Sequence, residues 1–276
     1  MSLPSALLLK PTLPPAWHGV QVWVTTSGLL KPLELQSADF QALVDPLFGF
    51  NLGDHVGDDP QAVAVRRFAL EQFLGARIQW LKQVHGCDVL QVDSNPLTGT
   101  PPADAAITDH TDVTLAIMTA DCLPAVFAAF DHQGQLQAVG AAHAGWRGLH
   151  AGVLEACAVG VARLAGVPLT QVQCVLGPAI GPQSFEVGAE VRQAFVERSA
   201  ALAECFKPTA HAHKWLGDLY TLATRLLADE GVTVVASVGG DTFTDLNWFS
   251  HRRGQQQGVP AGRQAMLIRR LPSPSV

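Results

Sequence analysis

The sequence predicts an α+β fold in one domain, residues 1–276, on three observations. Strand-like apolar runs and helix-length amphipathic segments are interleaved without the regular alternation of a doubly wound sheet. No Gly/Ser linker, charge block or internal repeat divides the chain, and Pro-rich stretches occur only at the two ends and at Pro101-Pro102. A hydrophobic content of 48% in 276 residues supplies ample core.

The elements follow in order. Val20 to Thr25 alternates as a strand, and Asp58-Asp59-Pro60 starts a helix over about Gln61 to Leu74, with Val63, Phe68 and Phe73 mostly inward. Strands at about Arg77 to Val84 and Asp88 to Val92 flank a turn at His85-Gly86. Three consecutive strands come next, about Val113 to Met118, Ala125 to Phe130 and Leu136 to Ala142. The last two form a hairpin through Asp131-His132-Gln133-Gly134. A helix over about Leu149 to Leu164 ends at Gly166 and Pro168. The strand Val172 to Leu176 enters the constrained loop Gly177-Pro178-Ala179-Ile180-Gly181-Pro182. Helices at about Ala189 to Ala203 and Lys214 to Glu230, then strands Val232 to Val238 and Ala265 to Arg270, complete the chain.

A net charge of −6 without any Lys/Arg run gives no footprint for nucleic acid or an anionic membrane surface. Leu7-Leu8-Leu9 is too short for a signal core, and no apolar stretch is long enough to span a bilayer. Five cysteines without framework spacing point to reduced thiols and a cytoplasmic address. Rossmann, Walker and nucleophile-elbow motifs are absent.

The chemistry concentrates in Thr119-Ala120-Asp121-Cys122 and His143-Ala144-Gly145-Trp146-Arg147-Gly148, which place a thiol and an imidazole at neighbouring strand ends. Gln83-Val84-His85-Gly86 adds a second imidazole. Singly, each reads as an ordinary turn histidine or buried thiol. Together, His85, Cys122 and His143 match a zinc site with one open position, the catalytic arrangement in which a bound water has a pKa of about 7. Asp121 either orients a ligand or shuttles protons, or else caps a turn. Arg147, in a Gly-flanked segment at a helix start, either holds phosphate or lies on the surface over Trp146. Arg67 is a second phosphate candidate against a solvated helix face. The loop Asn51-Leu52-Gly53-Asp54-His55-Val56-Gly57-Asp58 is a candidate pocket wall. His211-Ala212-His213 has a metal-like spacing but reads as solvent-exposed.

The runs Asn51 to Asp58, Gln83 to Gly86, Thr119 to Cys122 and Ala142 to Gly148, with Asp104-Ala105, Gly177 to Pro182, Phe185-Glu186-Val187-Gly188 and Phe249-Ser250-His251-Arg252-Arg253, resemble the YfiH family over nearly the whole chain. The family is also called laccase-domain or multicopper polyphenol oxidase proteins and, in some bacteria, peptidoglycan editing factor. The resemblance implies a β-sandwich of mixed sheets surrounded by helices, like that of the cytotoxic-necrotizing-factor group. It also implies zinc on His85, Cys122 and His143, and purine nucleoside phosphorolysis (adenosine, inosine, methylthioadenosine) with adenosine deamination. Asn51, Arg67 and Arg147 are then the expected substrate and phosphate contacts, and Asp121 joins the catalytic set. Copper fits less well, because a multicopper oxidase needs more clustered histidines. Editing of a peptidoglycan precursor by an amide hydrolase, and a non-catalytic zinc domain, are the alternatives. The chain departs from the family pattern at Arg66, Asp241 and His251, which bears on substrate preference or rate.

Overall fold

Every residue of Val113–Thr119 and of Leu123–Phe130 is buried. Strands covered on both faces have this property, which is why these stretches read as near-continuous apolar runs. The computed structural model describes residues 3, 5–29, 43–94 and 97–272; of the Pro-rich ends, Pro4 and Pro274 lie outside them. The order is β1 (Leu8–Leu9), β2 (Val20–Thr25), α1 (Pro60–Leu74), β3 (Arg77–Gln79), β4 (Val89–Gln91), β5 (Ala105–Thr108), β6 (Val113–Thr119), β7 (Leu123–Phe130) and β8 (Leu136–Ala144). Then come α2 (Trp146–Ala151), α3 (Val153–Ala165), β9 (Val172–Leu176), β10 (Glu186–Gly188), α4 (Ala189–Arg198), β11 (Phe206–Pro208), β12 (Lys214–Gly217), α5 (Leu219–Asp229), β13 (Thr233–Ser237), α6 (His251–Gln257) and β14 (Gln264–Arg270).

The strands form a five-stranded sheet, β1-β2-β14-β6-β3, a six-stranded sheet, β13-β9-β7-β8-β5-β4, and a small sheet, β10-β12-β11. Val22, Leu115, Ile117 and Ile268 of the first meet Val126, Ala128, Val139 and Val175 of the second in one shared core. The alternate residues Phe127, Ala142 and Cys174 point the other way, onto Leu154 and Val161 of α3 and Leu222 of α5. Trp23, Ala116 and Leu267 likewise meet Leu70 and Leu74 of α1. The period of two thus builds a mixed β-sandwich clad in helices on both sides, as the resemblance implies. Among the described residues no helix is long and apolar enough to cross a membrane.

Several expectations are corrected. Of the three consecutive strands, β7 and β8 form the hairpin, but β6 belongs to the opposite sheet. The strand from Arg77 stops at Gln79, because the backbone then leaves β6: Lys82 makes an isolated bridge to Pro102, and the N–H groups of Val84 and His85 turn to the Asp104 carboxylate. Val63 is inward as expected, but Phe68 and Phe73 are 60% and 47% exposed, and α1 buries Arg66, Ala69, Leu70 and Leu74 beside Val63. The single helix after His143 is two, since Gly152 takes φ 95°, a left-handed conformation that ends α2 before α3 begins. Lys214–Gly217 is a strand, and α5 starts after Asp218, whose side chain accepts from the Thr221 N–H at 3.0 Å. The helix from Ala189 stops at Arg198, and Ala200–Cys205 continues as a 3-10 turn.

Candidate metal centre and active site

His85 stands on a turn that only its surroundings make stable. Its φ is 62°, uncommon for a residue with a side chain. The fully buried Asp104 carboxylate accepts the N–H groups of Val84 (3.1 Å), His85 (2.9 Å) and Gly86 (2.7 Å), fixing that turn. The same carboxylate accepts Nδ1–H of His143 at 2.8 Å, and the Asp104 carbonyl accepts the His143 N–H at 2.7 Å. One aspartate therefore places both imidazoles and directs Nε2 of His143 away from itself. Gln83 anchors the approach, pairing with the Met118 N–H and carbonyl at 2.8 and 2.7 Å.

Cys122 enters from the turn between β6 and β7. Asp121, at φ 85°, accepts the Thr242 hydroxyl and the Arg252 N–H, both at 2.7 Å, and its carbonyl accepts the Ile180 N–H at 2.9 Å. The β7–β8 register sets Pro124 opposite His143, so the thiol and the imidazole share one sheet end.

Ligand atoms of His85, Cys122 and His143 lie within 4.8 Å of one another, with Cys122 Sγ 3.8 Å from His85 Nε2. The imidazole rings meet edge to face, centroids 4.8 Å apart. Tetrahedral bonds of about 2.0 Å to nitrogen and about 2.3 Å to sulfur set such atoms about 3.5 Å apart, so the donor set fits a small divalent metal. Gly145 is part of the fit, because a Cβ there would lie 2.7 Å from His85 Cδ2 and 3.1 Å from Cys122 Sγ. No fourth His, Cys, Asp or Glu joins the group among the described residues.

Electrostatics reinforce the cluster. Burial pushes the Cys122 thiol up, but the charge of His143 and hydrogen bonds from both histidines bring its pKa down to about 6. For His143, burial acts downward, and the Cys122 thiolate with the Asp104 hydrogen bond raises it to about 9. Burial also pushes the Asp104 carboxyl up, and the bonds from His143, Gly86 and Val84 more than offset this.

The three ligands form the floor of a cavity of about 170 Å³ walled by Gln83, Met118, Thr119 and Ala120. His55, His251 and Arg263 line its rim and also line an adjoining cleft of about 440 Å³. The Asn51–Asp58 loop therefore contributes its histidine to the pocket wall.

Other expected site residues fall elsewhere. Arg147 is exposed, its guanidinium 4.4 Å from the Trp146 ring centroid, outside the cavity lining. Arg67 is not on a solvated face: it donates to the Leu52 carbonyl at 2.9 Å, pairs with Asp54 at 3.4 Å and stacks over Trp80 at 4.5 Å. Asn51 is buried, and its amide braces Gly53, Asp58 and the Arg263 backbone. Asp121 braces the Cys122 turn through Thr242 and Arg252.

Asp104 stands in a run that resembles the family but carries no assigned role in the sequence, and Arg263 is not singled out there at all. A lone carboxylate within the small apolar run Ala103 to Ile107 is a usable signal for the first, since a buried charge needs partners. Arg263, next to Gly262, offers no comparable signal. Two departures from the family pattern are structural: Arg66 is buried against Asp58, and Asp241 accepts the Gly181 and Phe243 N–H groups. The third, His251, faces the cavity.

A family model described as multi-copper polyphenol oxidoreductase laccase matches residues 42–271. A purine nucleoside phosphorylase of Pseudomonas aeruginosa is 45% identical over 214 residues, 77% of this chain and 84% of the relative. A purine nucleoside phosphorylase of Escherichia coli with the YfiH name is 42% identical over 219 residues, with the same two shares. A Neisseria meningitidis crystal structure superposes with a TM-score of 0.80 at 37% identity, covering 96% of this chain and 100% of that one. A YfiH protein of Bacillus licheniformis gives a TM-score of 0.75 at 25% identity, covering 93% of this chain and 94% of that one.

Proposed function

The chain belongs to the multi-copper polyphenol oxidoreductase laccase family, also called the YfiH family, and from that membership we propose that it is a metal-dependent purine nucleoside phosphorylase. The observation that carries the reading is the convergence of His85, Cys122 and His143 within 4.8 Å on a cavity floor with no fourth protein ligand. A closed structural zinc site has four protein ligands, so the open side favours catalysis. Residues 1–276 act as one domain in this reading, since both sheets contribute to one core.

His85, Cys122 and His143 would hold zinc, which supplies a Lewis acid and activates water when bound. A thiolate with two imidazoles also suits copper when a methionine completes the set. Met118 lines the cavity, but its sulfur lies 3.6 Å from Arg67 Nη2, which favours zinc.

In phosphorolysis an oxygen of phosphate bonds to C1′ as the glycosidic C–N bond breaks. The bonding electrons leave with the purine, which takes up a proton. The chain's task is positioning and charge. Asp104 orients His143 and the His85 turn, and Gln83 ties the wall to Met118. Ligand pockets run to about 300–1,000 Å³. The cavity alone, at about 170 Å³, falls short, so the substrate extends past His55 and His251 into the cleft of about 440 Å³. Adenosine, inosine and methylthioadenosine are the proposed substrates. Adenosine deamination, in which water adds at C6 and ammonia departs, is assigned to the same floor.

Chromatography of adenosine and inosine incubated with the protein, with and without phosphate, tests this. Adenine or hypoxanthine together with a pentose 1-phosphate should form only when phosphate is present, and His143→Ala should abolish both. Release that persists in His143→Ala contradicts the proposal. No turnover by metal-loaded wild type would move the reading to the precursor-editing amide hydrolase.

A further inference from the structure

Neither arginine expected to hold an anion reaches the cavity, whereas Arg263 lines both the cavity and the cleft. Its backbone N–H donates to Asn51 Oδ1 at 2.8 Å, and Nη1 donates to the carbonyls of Ala261 and Gly262 at 2.8 and 3.0 Å. Those bonds fix one side of the guanidinium. Nε and Nη2 have no hydrogen-bond partner among the described residues, and together they form the edge that grips an oxyanion with two parallel bonds.

Arg263 also makes no ion pair with a carboxylate among the described residues. Burial draws its pKa down, opposed by the charges of Cys122 and Asp121. Asp121 is already committed to Thr242 and the Arg252 N–H, and no carboxylate lies within ion-pair distance of Arg263 among those residues. A partly desolvated cation without a carboxylate partner is costly, and an anion in the cavity removes that cost. Arg67 shows the contrast, with Asp54, the Leu52 carbonyl and Trp80 all engaging it.

We propose that Arg263, flanked by His55 and His251, is the seat for a tetrahedral oxyanion where the cavity opens into the cleft. The role of the seat in turnover rests on the phosphorylase reading, in which its occupant is inorganic phosphate. The purine then lies toward His85, Cys122 and His143, and C1′ faces the cleft side. His55 and His251 complete the contacts that a single planar guanidinium cannot make to a tetrahedral ion.

The test uses the full-length, metal-loaded protein as wild type, Arg263→Gln, Arg263→Lys and His251→Gln. Inorganic phosphate is titrated calorimetrically, and initial rates are measured against phosphate at saturating inosine. Arg263→Gln should weaken phosphate binding and raise its KM by about ten- to a hundredfold, with the KM for inosine within about threefold. Arg263→Lys should fall between, because a point charge lacks the two-pronged edge. If Arg263→Gln loses its cooperative melt, Arg263→Lys and His251→Gln carry the comparison. Phosphate bound equally by wild type and variants, or not bound by wild type, overturns the proposal. Phosphate bound through Arg263 without inosine cleavage supports the seat while refuting the phosphorylase reading. Competition by inosine 5′-monophosphate would then identify a substrate's own phosphoryl group as the occupant.

Discussion

Two regions of this molecule carry histidine pairs, a non-glycine residue at positive φ and a neighbouring cavity, yet they differ in what holds them. At the sheet end, His85 and His143 share the buried Asp104, and the positive-φ residues His85 and Asp121 are both braced by hydrogen bonds. At the β11–β12 connection, His213 has φ 59° beside a larger cavity of about 690 Å³. There His211 is 75% exposed and bonds the half-exposed Glu186, and no third ligand converges among the described residues. Cavity size and strain are therefore poor guides by themselves. A buried carboxylate that orients ligands toward one point separates a centre from a cleft.

That contrast can be broken by substitution. Cys122→Ala or His143→Ala should lower phosphorolysis by roughly a thousandfold and abolish stoichiometric metal while the fold persists, read by rate, metal analysis and circular dichroism. Retained turnover would place the chemistry elsewhere. Asp104→Asn should cost about ten- to a hundredfold in metal affinity or rate, because an amide cannot accept all four N–H groups. It should also lower stability by about 1–3 kcal/mol in a denaturant melt. An unchanged variant would mean that Asp104 does not position the two histidines.

Smaller effects sharpen the comparison. Gly145→Ala should reduce turnover by about tenfold as its Cβ displaces His85, with melting temperature little altered, whereas wild-type kinetics would mean that the ring has room. His211→Ala with His213→Ala, and separately Arg147→Ala, should stay within about twofold of wild type in rate and phosphate KM, as fits exposed side chains remote from the lining. A large loss in the double variant would make the β11–β12 cleft functional.

Much of the centre was legible because its ligand types stand at the ends of apolar runs: Cys122 just before β7, His143 near the end of β8 and His85 at a turn. The sandwich strands β2, β6, β7, β8, β9 and β14 were legible for the same reason. The role of Asp104 is not legible, although its run resembles the family, because its partners Val84, Gly86 and His143 meet only after β5 pairs with β8, and β5 itself is four residues of mostly small side chains. Arg263 escaped because nothing local distinguishes a cation facing a cavity from one facing water. The helix starts were partly readable. Asp218 and Ser250 are caps of α5 and α6, but the amphipathic pattern of α5 was extended back over β12, and α6 is only seven residues long.

Whether His85, Cys122 and His143 together hold one metal is read from the metal content of purified wild type beside Cys122→Ala and His143→Ala. About one equivalent of zinc is expected in wild type and little in either variant. Equal metal in all three proteins, or a folded and active wild type without metal, would contradict it.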